Sequence, residues 1–213
     1  MILAASLGVA AWFQQALPER VPTHWNWKGE IDGWGPRWQA TWMISGVLFG
    51  IAALTLGLPL LGPFRRNFEK FRGTYGAIVT AVLGTFLGLQ TLICLASSGA
   101  NVDIGAGICV FLGGLFVLLG NWFGKIRRNF YVGIRTPWTL ANDYVWERTH
   151  RLGGKMFVGV GAMCILAGLL LPAWVCFIVM MGGLIGSTAV SIVYSLICYR
   201  RHGQIDELGG SEC

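Results

Sequence analysis

The sequence predicts an all-α polytopic membrane protein of six transmembrane helices, with both termini in the cytoplasm, one structured external loop and one cytoplasmic amphipathic helix. Composition is the first reason: 54% apolar and 12% charged residues in a chain of 213 are not the balance of a water-soluble domain. The second is six apolar runs free of Asp, Glu, Lys and Arg, most of them near the roughly 20 residues that cross a hydrocarbon core. The third is charge asymmetry. Of the 16 Lys and Arg, 13 fall in the second connection, the fourth connection and the C-terminal tail, which places those segments on the cytoplasmic side. The net charge of +6 is thereby a topology signal and gives no reason to expect direct nucleic-acid binding.

The first run, Met1 to Leu17, is short and lacks flanking charge. A signal peptide is the competing reading, disfavoured because no basic leading region or small-residue cleavage site is present. The external loop follows as "LPERVPTHWNWKGEIDGWGPRW", where Pro18, Pro22, Gly29, Gly33, Gly35 and Pro36 forbid a long helix. Its Trp25, Trp27, Trp34 and Trp38 suit an aromatic belt at the membrane surface. The sharper expectation is a structured cap or receptor surface with His24 and Asn26 as polar contacts and Asp32 nearby. His24, Glu30 and Asp32 have the types for a metal site, but one histidine with two acids in an irregular loop is a weak pattern, so no metal is assigned.

Spans two and three, Gln39 to Gly62 and Tyr75 to Ser97, are joined by a connection carrying Arg65, Arg66, Lys70 and Arg72. Span four, Ile104 to Phe123, leads into "GNWFGKIRRNFYVGIRTPWTLANDYVWERTHR". Asn121 and Trp122 sit where that helix leaves the bilayer, and Gly133 is a candidate turn. Thr136 can cap a helix whose first residue is Pro137, because proline's missing donor costs nothing there. Residues 138–152 would then be helical, with Trp138, Ala141, Val145 and Leu152 on an apolar stripe and Asp143, Glu147, His150 and Arg151 on a polar one. Such a helix should lie along the inner surface or pack beneath the bundle. Asp143, Glu147 and His150 have the chemistry for metal binding or proton transfer, but pairing of the acids with Arg148, Arg151 or the arginines of the second connection is the favoured reading. Spans five and six, Met156 to Leu171 and Ala173 to Tyr199, form a tight hairpin at Pro172.

The six cysteines form no C-x-x-C pair and read as small apolar residues. Pairs such as Gly46/Gly50, Gly84/Gly88 and Gly182/Gly186 permit close helix approach, although in a chain of 31 glycines they name no interface. No nucleophile motif, phosphate loop or two-histidine zinc helix is present, so neither catalytic residues nor a cofactor are assigned. The organisation expected is an N-terminal hairpin with its loop (1–62, loop 18–38), middle spans (63–103), a region built around a cytoplasmic motif at 120–155 (104–199), and a cytoplasmic tail (200–213).

The run from Gly120 to Phe157 resembles the signature of the SdpI family of bacterial polytopic membrane proteins. The matching positions are Gly120, Asn121, Asn129, Gly133, Ile134, Arg135, Thr136, Pro137, Trp138, Thr139, Trp146, Thr149 and His150. The external loop is similar to a small N-terminal domain of unknown function often attached to that family, through Pro22, His24, Asn26, Gly29 and Asp32. The resemblance implies an inner-membrane immunity or signalling protein against a secreted peptide toxin, holding a small repressor at the membrane when engaged. Because the two elaborated segments lie on opposite faces, the external loop around His24 and Asn26 is expected to meet the ligand and the cytoplasmic helix from Thr136 to Arg151 to read out the state. A small-molecule or ion permease is the rival, opposed by the absence of charges inside the spans; a membrane metallo-hydrolase is a more distant one.

Overall fold

The computed structural model describes residues 1–61 and 65–202. A first apolar helix, α1 (Ile2–Ala16), leads into a β-hairpin of β1 (Arg20–Trp25) and β2 (Ile31–Pro36). A π-helical turn (Gln39–Met43) opens α2 (Ile44–Leu61), followed by α3 (Arg65–Ser97), α4 (Ile104–Phe123), α5 (Pro137–Ala141), α6 (Asp143–Leu170) and α7 (Ala173–His202). Among the described residues five helices are long and apolar enough to cross a bilayer, running 39–59, 68–97, 104–123, 143–170 and 173–202. The first helix is apolar but shorter, at 15 residues.

One expectation, the structured external loop, is made specific here, and two are corrected. The external loop is a hairpin, because alternating Arg20–Trp25 and Ile31–Pro36 pair antiparallel across a turn that Asn26 builds. The Asn26 carboxamide oxygen accepts from the amides of Lys28 (2.9 Å) and Glu30 (3.1 Å), and Gly29 takes φ +84°, a conformation open to glycine. Next, the connection carrying Lys70 and Arg72 is helical: α3 extends through it, kinked at Phe71 (φ −130°, ψ 16°). Last, the amphipathic helix expected over 138–152 is not a separate element. It breaks at Asn142, whose backbone is extended, and the remainder runs unbroken into the fifth span as α6. Asn142 caps α6 by accepting from the Val145 amide at 3.0 Å, and a hydrophobic helix with no further breaker then continues for 28 residues. At about 1.5 Å per residue α6 is roughly 42 Å long, so its first two or three turns stand proud of a ~30 Å hydrocarbon core.

The tightest packing is α4 against α6. A Cβ on Gly120 would lie 2.5 Å from the Gly154 carbonyl oxygen, and one on Gly161 2.5 Å from that of Gly113. Gly168 continues the seam against the Ala106 carbonyl at 2.8 Å. These glycines recur at seven-residue steps on both helices, the period that keeps one face against a partner. Gly46, Gly50, Gly84, Gly182 and Gly186, the four-residue pairs legible in the sequence, would each meet nothing within 4 Å, and Gly88 would meet only the Phe111 ring.

The first three helices are joined by a buried polar knot. Ser6 Oγ donates to Gln90 Oε1 at 2.6 Å and lies 2.8 Å from Ser45 Oγ, while Gln90 Nε2 donates to the Ser6 and Thr41 carbonyls, both at 3.2 Å. Gln90 and Ser6 are fully buried, so the amide's polar groups are satisfied within protein, as a span requires. The five described cysteines are buried free thiols.

Substituting Gly161→Val should destabilise the protein by about 1–3 kcal/mol through overpacking against backbone. Gly182→Val, whose Cβ meets open space, should leave thermal unfolding in detergent unchanged.

Candidate functional site

The segment between α4 and α6 is irregular chain held at the end of a membrane bundle, and it is organised by four buried side chains. Asn129 is fully buried and uses its whole hydrogen-bonding capacity. Its Oδ1 accepts from the amides of Tyr131 (2.7 Å) and Val132 (2.8 Å), and its Nδ2 donates to the carbonyls of Arg127 (2.7 Å) and Val132 (3.1 Å). Trp146, 1% exposed, donates from Nε1 to the Ile126 carbonyl at 2.8 Å and stacks on His150 with ring centroids 4.1 Å apart.

His150 is the keystone of the turn. Its Nε2 accepts the Ile134 amide at 2.9 Å, and its Nδ1 lies 2.8 Å from the Trp146 carbonyl. A backbone amide only donates and a carbonyl only accepts, so the ring is the neutral tautomer with the proton on Nδ1. Gly133 meets the Nε2 edge of the ring at φ +116°, where a Cβ would fall 2.4 Å from Nε2. Both the conformation and the space therefore require glycine.

Thr136 and Thr139 form a reciprocal capping box at the start of α5, with Pro137 opening the helix as the Thr136-Pro137 order predicts. Thr139 Oγ1 also donates to the Ile134 carbonyl at 2.8 Å, and Thr136 Oγ1 lies 3.1 Å from Ser195 Oγ, tethering the motif to α7. Trp138 is half-buried on α5, and Arg135 is exposed, its guanidinium donating to the Phe130 carbonyl. Gly133, Arg135 and Thr136 line a mostly apolar cleft of about 480 Å³ together with Ile78 of α3, Phe157 of α6 and Ser191 of α7. Asn121 stands apart from this knot, exposed at the end of α4.

The polar stripe on α6 does not converge. Asp143 pairs with Arg128 at 2.9 Å and Glu147 with Arg127, arginines of the same connection; the partners expected were Arg148, Arg151 or the second connection. His150 points inward with both ring nitrogens engaged, so Asp143, Glu147 and His150 do not share a ligand position. Among the described residues no group of three or more His, Cys, Asp or Glu is placed to hold a metal.

At the opposite end, the hairpin reaches across the bundle. Val21 is fully buried beside Leu17 and Ala40, and Ser97 Oγ of α3 donates to the Pro22 carbonyl at 3.2 Å. The tip leans on the α6–α7 turn, where a Cβ on Gly29 would come 3.0 Å from that of Ala173. Beneath it lies a pocket of about 360 Å³, with His24, Asn26 and Trp27 on the hairpin side, Ile108 of α4, and Phe177 and Met180 of α7. His24 Nδ1 pairs with Asp32 Oδ1 across the strands, and Asn26 Nδ2 donates to Glu30 at 2.9 Å. His24, Asn26 and Asp32 thus share one surface, while Glu30 is drawn to Asn26. Trp27, Trp34 and Trp38 are each about half exposed around it.

Sequence reasoning missed Asn142, although Asn followed by Asp is a helix-start signal. It also missed Ser187, Ser191 and Ser195, three buried residues that form a polar stripe on α7 at steps of four. The polar knot of Ser6, Ser45 and Gln90 carries no formal charge and so escaped a search for ionisable groups.

Comparison with known proteins agrees with the resemblance. Residues 125–195 match the SdpI/YfhL protein family, and residues 1–49 match a domain of unknown function, DUF1648. Gly120 and Asn121 lie just before the first matched stretch. The chain is also similar to the immunity protein SdpI of Bacillus subtilis (strain 168), 28% identical over 150 residues that make up 69% of this chain and 68% of that protein. No solved structure matches. The long apolar helices and this relationship together describe a multi-pass protein of the plasma membrane.

Asn129→Ala should leave two amides and two carbonyls without their partner, at on the order of 1–3 kcal/mol for each group that stays buried. Amide exchange across 127–134 should accelerate by at least tenfold while exchange in the core of α4 is unchanged.

Proposed function

We propose that this chain, carrying an SdpI/YfhL segment, is an integral membrane immunity and signalling protein. It protects the cell against a secreted membrane-active peptide and holds a cytoplasmic repressor when the peptide is bound. The basic residues at the motif end and at the end of α7 orient that end towards the cytoplasm, so that the N- and C-termini are inside and the hairpin is outside. In this orientation the pocket under the hairpin opens to the external face and the Asn129–His150 knot to the internal one.

The observation that carries the reading is that the outer pocket is shared. His24, Asn26 and Trp27 come from the N-terminal module, while Ile108, Phe177 and Met180 come from helices that run to the motif. A peptide side chain entering there would press on the ends of α4 and α7. The glycine seam makes α4 and α6 move as one body, because backbone packed on backbone leaves no side chain to absorb a shift. At the inner end α4 and α6 flank the motif, and α7 touches it through Ser195. Arg135 and Trp138 are the accessible polar and aromatic groups there for a protein partner.

Expressed in a peptide-sensitive strain, the chain should restore growth. Arg135→Ala with Trp138→Ala should abolish protection while membrane abundance stays at the unsubstituted level. Unchanged survival of that variant would refute the role of the motif. Ala173→Trp, which fills the outer pocket, should raise the peptide concentration needed to recruit the repressor by tenfold or more. A permease would instead show solute flux in proteoliposomes, which this reading expects to be absent.

A further inference from the structure

The motif end of α6 carries chemistry that the motif does not use. Arg148, Arg151 and Lys155 follow one another at three- and four-residue steps on one face of the helix. They line a recess of about 670 Å³ with Asn121 and Gly124 of α4 and Tyr194 of α7. The acids of α6 lie elsewhere: Asp143 and Glu147 are taken by Arg128 and Arg127. Among the described residues no carboxylate forms an ion pair with Arg148, Arg151 or Lys155.

Depth distinguishes this recess from an ordinary basic loop. Counting about 20 residues at 1.5 Å back from the end of α6 at Leu170 brings the edge of the hydrocarbon core to about Arg151. Lys155 lies one turn deeper and must extend its ammonium towards the interface along the recess wall. The lower wall is apolar, formed by Val158 and the ring of Tyr194, and Gly124, just past the end of α4, adds no side chain to the recess. A charged group at phosphate depth over an apolar wall is what a phospholipid presents.

We propose that this recess is a binding site for the phosphate headgroup of an anionic phospholipid of the inner leaflet, with Arg151 and Lys155 on the phosphate, Arg148 and Asn121 on the headgroup beyond it, and the first methylenes against Val158 and Tyr194. A bound headgroup would bridge α4, α6 and α7 directly beside the motif.

The test uses the full chain in nanodiscs of phosphatidylcholine doped with phosphatidylglycerol, released from the disc into the spectrometer and read by native mass spectrometry. The unsubstituted protein should retain phosphatidylglycerol, saturating at one lipid, and should not retain phosphatidylcholine. Arg151→Gln with Lys155→Gln should weaken retention by roughly thirtyfold, at about fivefold for each cation lost near an anionic lipid. Lys125→Gln with Arg201→Gln removes the same charge outside the recess and should change retention less than threefold. Lys155→Arg, which keeps the charge, should retain the binding that Lys155→Gln weakens, and melting temperatures of all variants should agree. Equal losses in the two double variants would reduce the effect to general surface charge and overturn the proposal. Displacement of the lipid by millimolar inorganic phosphate, with equal thermal protection by phosphate alone, would make the recess a free-anion site and overturn it as well.

Discussion

The structure rests on the direct contact of two helix backbones. Along α4 and α6 the residues that meet are Gly113, Gly120, Gly154 and Gly161, with Gly168 against the Ala106 carbonyl, and each would place a Cβ within 3 Å of the opposite helix's atoms. In lipid no hydrophobic gain favours helix over acyl chain, so association depends on close van der Waals fit, and glycine permits the closest. The contact does more than hold two spans together. It fixes the separation of the two helix ends that the motif must bridge, and so decides how little room the intervening chain has.

Within that room the motif solves a satisfaction problem. Irregular chain at a membrane boundary leaves amides and carbonyls without the helical ladder, and each buried one must find a partner. Asn129 serves four of them, Thr139 and His150 serve the bend into α5, and the Trp146 indole takes the Ile126 carbonyl. The residue types follow from this geometry: a carboxamide because it both donates and accepts, a neutral imidazole for the same reason, and Gly133 because a Cβ there would collide with the ring nitrogen. The segment is therefore chemically dense for structural reasons before any functional one. Arg135, Phe130 and part of Trp138 are among the side chains it leaves exposed.

The N-terminal module is attached by different means. Its helices share the Ser6, Ser45 and Gln90 knot, and its hairpin is anchored through Val21 and the Ser97 bond to Pro22. The hairpin tip meets the start of α7 at Ala173, while α3 packs along α4, where Gly88 faces the Phe111 ring. The pocket under the hairpin is walled by α4 and α7, and α4 is held by the glycine seam, so the hairpin tip is the wall best able to yield to what fills it.

The sequence by itself determined what needs only local chemistry. Apolar runs and basic connections gave the helices; Thr136 and Pro137 gave the start of α5; the density of the segment around Asn129 to Arg151 marked it as special. Tertiary structure decided everything that depends on which side chains face each other. The glycines at sevens, not the pairs at fours, carry the packing, because a four-residue step on a helix facing lipid meets no neighbour. The stripe of Asp143, Glu147 and His150 separates, because the burial of Trp146 turns His150 inward while Arg127 and Arg128 draw the acids outward. His24, Asn26 and Asp32 gather at one surface through strand pairing that prolines and glycines concealed. Periodicity along one helix reports which residues share a face, and only packing reports what that face meets.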